Sequence, residues 1–149
     1  MFKRFLLCYD GSAIGRRALK RGAELAILLN AHVDVLAVLP EGALSPAVAA
    51  GALGHSCIMD PQTPSHTRLL EESIAWLKER GVTAQGHLAS GNTIERIAEY
   101  TQRLSIDLIV LGHYPQPAGG FWWSGSQRVS LADRTRCCVF VAVDSPDAA

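Results

Sequence analysis

Four cysteines, an aromatic share of 7% and no excess of either charge sign leave several function classes without support in this chain. Cys8, Cys57, Cys137 and Cys138 show no Cys-x2-Cys spacing, so neither a zinc ribbon nor a paired-thiol redox motif is present. A disulfide between the neighbours Cys137 and Cys138 would be strained. Cys8 and Cys138 fall in expected strands, where a free thiol packs as a small apolar group, so all four are read as non-catalytic. The five histidines (32, 55, 66, 87 and 113) are scattered without the spacing of a metal site, and no metal is expected. Fourteen Lys and Arg balance fourteen Asp and Glu, so nothing marks a polyanion-binding surface, and nucleic acid is not an expected partner. No apolar run approaches the roughly 20 residues that cross a bilayer, so no membrane association is expected. Lys3-Arg4 precede a short apolar run, but it stops at Asp10, short of the roughly 7–15 residues a secretory signal requires. The expected location is cytoplasmic.

What the chain does have is 149 residues that are 48% hydrophobic, enough for one domain with a true core. Residues 1–144 are expected to form it, with 145–149 as a short tail. The stretch around which the chain is organised is 106–126, IDLIVLGHYPQPAGGFWWSGS. Its first six residues are apolar and rich in β-branched side chains, the pattern of a strand buried on both faces. A loop dense in glycine and proline follows, then Gly125-Ser126 and a segment able to form a helix. Strand, glycine loop and helix start together make an anion-binding arrangement. The first N–H groups of a helix lack internal partners, and the dipole favours negative charge there.

The remaining elements follow in order. Residues 2–9 are a strand closed by Asp10-Gly11-Ser12, with Ser12 a candidate cap for a helix over 13–29. On that helix Ala18, Gly22, Leu25 and Leu29 form the inner stripe, flanked by Leu19, Ala23 and Ala26. Arg16, Arg17, Lys20 and Arg21 take the other face, read as a solvated surface. Gly22 lets this helix approach the sheet closely. Residues 33–39 make a second strand, and 41–64 turn to Ala, Gly, Pro and Ser without a clear period, with a short helix over 43–53. A helix over 65–80 puts Leu70, Ile74 and Leu77 inward with Trp76 as a packing residue, and Gly81 ends it. A strand over 82–89 leads to a helix from Asn92 to about Leu104, with Asn92 and Glu95 spaced as a capping box. A helix over 127–136 and a strand over 139–143 finish the chain. Alternating strands and helices predict an α/β fold, a single doubly wound five-stranded parallel sheet with about four helices. Ligands of such sheets sit beyond the strand C-termini where the strand order reverses, which places Asp10 and Gly112 at the same crevice if the first and fourth strands are neighbours.

Tyr9-Asp10-Gly11-Ser12, Asp107-Leu108-Ile109-Val110-Leu111-Gly112, Gly125-Ser126 and Cys137 before the last strand resemble the universal stress protein family in order and spacing. The resemblance spans residues 2 to about 143 and implies the sheet order 3-2-1-4-5. ATP-binding members of that family carry Gly, two residues, Gly, nine residues, then Gly and Ser or Thr. Here Gly112, His113-Tyr114, Pro115, nine residues and Gly125-Ser126 keep the spacing, with proline at the second glycine. Proline fixes φ and has no N–H, so that position offers no amide to a phosphate. The resemblance implies a nucleotide site at Asp10, Val38, Gly112, His113, Gly125, Ser126, Gln127 and Arg128, with ATP and Mg²⁺ as ligand and companion ion. Ser126 can cap the last helix as well as meet phosphate, Asp10 can serve only its own turn, and Arg128 can be a plain surface cation. Trp122-Trp123 read as a latch for the loop or, alternatively, as a stacking platform for a base. The last strand, with Val139 and Val143 at its ends, would be an uncovered apolar edge, and the resemblance implies a homodimer built across it.

Three functions compete at this level. The first is a stress-response regulatory protein that binds an adenine nucleotide and hydrolyses ATP slowly at most. The second keeps fold and dimer without a nucleotide and acts through protein contacts, a reading Pro115 favours. The third is an ATP-cleaving enzyme of a related α/β superfamily. Against it stand the lack of a Ser-Gly-Gly loop near the first strand, of Gly-x4-Gly-Lys-Ser/Thr, and of a nucleophile–base pair, so no catalytic residue is assigned.

Overall fold

Strand and helix alternate among the described residues of the computed structural model, which are 1–11, 13–39, 62–112 and 125–143. The elements are β1 (Arg4–Cys8), α1 (Ala13–Leu29), β2 (His32–Leu39), α2 (Gln62–Glu79), β3 (Ala84–Ser90), α3 (Thr93–Arg103), β4 (Leu108–Gly112), α4 (Gly125–Thr135) and β5 (Cys138–Ala142). The strands form one five-stranded sheet in the order β3-β2-β1-β4-β5, every neighbouring pair parallel. This is the expected fold and strand order.

Side chains of a strand alternate between faces, so the two apolar layers separate by parity. Phe5, Leu7, Val33, Val35 and Val110 join one cluster with Leu19 and Ala23 of α1 and Leu70 and Leu77 of α2. Leu6, Leu36, Val38, Ile109 and Leu111 join the other with Ile97 of α3 and Leu131 of α4. A sheet covered on both faces needs strands apolar throughout, and every residue of β4 is buried. Trp76 packs at the margin of the first cluster with the Arg80 guanidinium 3.8 Å from its ring centroid, the packing role expected of it.

The inner stripe of α1 differs from the expected one. Gly15, Ala18, Leu19, Gly22, Ala23 and Ala26 are buried, whereas Leu25 and Leu29 pack only partly at the margin. The cause is close approach: a Cβ at Gly22 would stand 2.5 Å from Leu7 Cδ2. Only small residues fit the line of contact, and the larger leucines fall to its sides. Asn92 caps α3 as expected, its Oδ1 accepting from the Glu95 N–H at 3.2 Å. Gly81 ends α2 at φ +79°, a conformation that suits glycine.

Element boundaries move by a few residues. α2 starts at Gln62, upstream of Pro64, because proline is tolerated in a first turn whose N–H groups need no intrahelical partner. α4 starts at Gly125, so Ser126 lies inside its first turn instead of capping it. β5 is Cys138–Ala142, which leaves Val143 beyond the strand. Cys138 is exposed, not buried as expected, because β5 is an outer strand whose first residues are not covered. Ser12 as a cap, the helix over 43–53, Cys57, His113, Pro115 and Trp122-Trp123 lie outside the described residues, as do 144–149.

Candidate functional site

The crevice forms where consecutive connections leave the sheet in opposite directions. β1 and β4 are neighbours, with Leu7 level with Val110. From β1 the chain passes to α1 on one face, and from β4 to α4 on the other, which opens a gap above the two strand ends. Asp10 follows β1 at this gap, partly buried, beside Gly11 at φ +79°. A Cβ on Gly11 would meet Leu69 Cδ1 at 2.7 Å, so the turn is held beneath α2. Tyr9 is buried just before it, and burial holds its phenol above the ordinary value, with Arg16 opposing and Asp10 and Glu72 adding to the rise.

β2 supplies a ledge to the same gap. β1 ends at Cys8, level with Leu36, and the Tyr9 N–H closes the ladder on the Leu36 carbonyl at 3.0 Å. In a parallel ladder the main-chain groups alternate in direction, so the next groups of β2 turned that way are those of Val38. The Val38 side chain points into the second cluster, which leaves the backbone as the part able to meet a ligand.

Gly112 is buried at the end of β4, and its lack of a side chain has a packing cause. A Cβ there would stand 2.8 Å from Ile14 Cγ2 and 3.3 Å from the Ile14 carbonyl oxygen. The first turn of α1 therefore closes over the end of β4. Gly125, Ser126, Gln127 and Arg128 form the first turn of α4, the turn whose N–H groups have no intrahelical acceptor. Asp10, the Val38 backbone and Gly112 thus stand at the C-terminal ends of β1, β2 and β4, and that turn begins the helix that follows β4. Among the described residues no cluster of three or more His, Cys, Asp or Glu is placed to hold a metal ion. No helix among them is long and apolar enough to cross a membrane.

The model of the universal stress protein family matches residues 1–142. The chain belongs to that family. Similar solved structures include the universal stress protein UspA from Lactobacillus plantarum (20% identity, 94% of this chain and 97% of that one, TM-score 0.72). Another is a universal stress protein family protein from Arabidopsis thaliana with AMP bound (16% identity, 97% and 94% covered, TM-score 0.66). A third is the universal stress protein from Archaeoglobus fulgidus in complex with dAMP (17% identity, 95% and 97% covered, TM-score 0.64). At these identities the likeness is one of fold. No curated protein matches the chain.

One feature of this universal stress protein escaped sequence reasoning altogether. Asp34, in the middle of the apolar β2, is 0% exposed. Its carboxylate accepts from Arg4 Nε at 2.6 Å and Arg4 Nη2 at 3.2 Å, and His87 Nε2 lies 2.8 Å from Oδ1. His32 Nε2 stands 3.5 Å from Oδ2, and the His87 ring packs on Tyr100 with centroids 5.4 Å apart. Burial pushes the Asp34 carboxyl up, but hydrogen bonds from His87 and Arg4 and the nearby His32 and Arg4 charges outweigh it and hold it at about 2. An ionised carboxylate only accepts, so His87 donates from Nε2. The group lies at the N-terminal half of the sheet and ties β1, β2 and β3 together beneath α3. A charged residue inside the run Val33-Asp34-Val35-Leu36-Ala37-Val38-Leu39 was the available signal.

Proposed function

We propose that this universal stress protein is a regulatory protein that binds an adenine nucleotide at the crevice above β1 and β4. The observation that supports this reading is the strand-order reversal between β1 and β4, where Asp10 and the Val38 ledge stand and from which the chain runs on to the first turn of α4. Peptide groups on the Val38 edge suit the hydrogen-bonding edge of a purine, Asp10 suits ribose hydroxyls, and the amides of 125–128 suit phosphate. Nucleotides in structures of the same fold, AMP in the Arabidopsis protein and dAMP in that from Archaeoglobus fulgidus, support the ligand class. ATP with Mg²⁺ is the ligand proposed here. The proposed action is a change of shape or partner, with ATP hydrolysed slowly at most.

The proposed assembly is a homodimer across β5. That strand ends the sheet, and Phe140 is 37% exposed on it with Val143 65% exposed just beyond. An uncovered apolar edge is a template for a second chain. Isothermal titration with ATP and Mg²⁺ tests the ligand. Heat with one site per chain supports it, and no heat up to millimolar ATP, with no nucleotide co-purifying, removes it. The second reading, a dimer acting through protein contacts alone, is favoured by one observation: Pro115 stands where ATP-binding relatives have glycine.

A further inference from the structure

The edge of the sheet opposite β5 is built differently. β3, Ala84-Gln85-Gly86-His87-Leu88-Ala89-Ser90, contains no Lys, Arg, Asp, Glu or proline. Native edges are ordinarily blunted by such residues or by cover. In the ladder with β2, the Val33 N–H donates to the Thr83 carbonyl at 2.9 Å and the Gly91 N–H to the Leu39 carbonyl at 3.0 Å. With the register Val33↔Ala84 to Leu39↔Ser90, this parity turns the main-chain groups of Gln85, His87 and Ala89 towards β2. Those of Ala84, Gly86 and Leu88 point away from the sheet, and no main-chain group among the described residues pairs with them.

Beside this outer row runs a groove of about 380 Å³ between α2 and Gly86. Leu70, Ile74 and Ala75 give it an apolar floor, and Gly86 keeps it open because no side chain rises there. Glu71 and Lys78 line it as exposed charges. Seven residues of helix separate them, a rise of about 10 Å, so they stand near opposite ends.

We propose that β3 is a docking edge for an extended peptide segment of a partner protein. The peptide adds as a sixth strand, exchanging hydrogen bonds with Ala84, Gly86 and Leu88. One of its apolar side chains enters the groove over Gly86. A cationic side chain two residues to one side meets Glu71, and an anionic one two residues to the other meets Lys78. Same-face side chains of a strand repeat about every 6.7 Å, so the outer two lie about 13 Å apart, within reach of both charges. The inference rests on neither the nucleotide nor the β5 dimer.

The test is an amide-exchange and chemical-shift titration of the full ¹⁵N-labelled chain with two synthetic peptides, acetyl-TKTITET-amide and its charge-reversed order, acetyl-TETITKT-amide. In the free protein the amides of Ala84, Gly86 and Leu88 exchange fast while those of Gln85, His87 and Ala89 are slow. One peptide order should protect the fast set and shift Ile74. Ala75→Arg, on the exposed helix surface, should weaken that binding about ten-fold without altering the remaining spectrum. Three results would overturn the proposal: no protection by either peptide at millimolar concentration, slow exchange of the outer amides in the dilute free protein, or protection that rises with protein concentration alone.

Discussion

Removing the Asp34 carboxylate should unfold this protein more readily than any surface change. In Asp34→Ala the Arg4 guanidinium loses both of its hydrogen bonds to the carboxylate, and His87 loses its acceptor inside the sheet. Breaking a buried ion pair from one side costs about 3–5 kcal/mol, because the remaining charge stays desolvated. Here the Arg4 side chain is 34% exposed and can turn partly to water, which brings the expected loss to about 2–3 kcal/mol. Urea unfolding at neutral pH reads this as a lower midpoint with unchanged slope, and a thermal scan as a fall of about 5–10 °C for a chain of this size. The double change Arg4→Met with Asp34→Leu should recover only part of the loss, since it strands no guanidinium charge but still leaves the His87 N–H without its acceptor. The pH dependence has a definite sign. The folded Asp34 carboxyl sits at about 2, below its ordinary 3.8, so its contribution is whole above pH 4 and fades as pH falls towards 2. The gap in stability between the native chain and Asp34→Asn should narrow over that interval by about 2 kcal/mol. A loss under about 0.5 kcal/mol at neutral pH, the range of ordinary surface changes, would refute the reasoning.

Other perturbations test other parts of the structure. Gly22→Ala gains about 1 kcal/mol of helix propensity but sets a Cβ 2.5 Å from buried Leu7, so a net loss of about 1–2 kcal/mol in urea unfolding is expected. Pro115→Gly should strengthen ATP binding by about ten-fold in isothermal titration by restoring an amide and backbone freedom, and unchanged affinity would clear that position of blame. Val141→Pro removes a donor from β5 and Phe140→Lys charges it, so each should shift sedimentation towards the monomer at micromolar concentration. A dimer that survives both would place its interface elsewhere.

The fold was legible because local pattern and burial agree. Ile109, Val110 and Leu111 lie in an apolar run too short for a helix and too continuous for a half-exposed strand, and they are fully buried in an inner strand of the sheet. Gly81 and Asn92 carried their own conformational signals and stand where those signals put them. Contacts made across the sheet were not legible. Asp34 finds Arg4 and His87 thirty residues before it and fifty-three after, and no local pattern encodes that meeting. The stripe of α1 shifted for a similar reason: burial there is decided by how closely Leu7 approaches Gly22, not by hydrophobicity alone. At the site, Asp10 was readable as a residue just past β1 and Gly112 as the one that closes β4. That Gly112 makes room for Ile14 depends on the seat of α1, which only the assembled fold displays.

The central claim is that an adenine nucleotide lodges above β1 and β4 against the start of α4. A residue-resolved amide titration of the labelled chain with ATP and Mg²⁺ tests it directly. Saturable shifts are expected at Tyr9, Asp10, Val38, Gly112 and the amides of 125–128, with the Asp34 surroundings unmoved. Saturation with no shift at those amides, or no response at millimolar ATP, would contradict it.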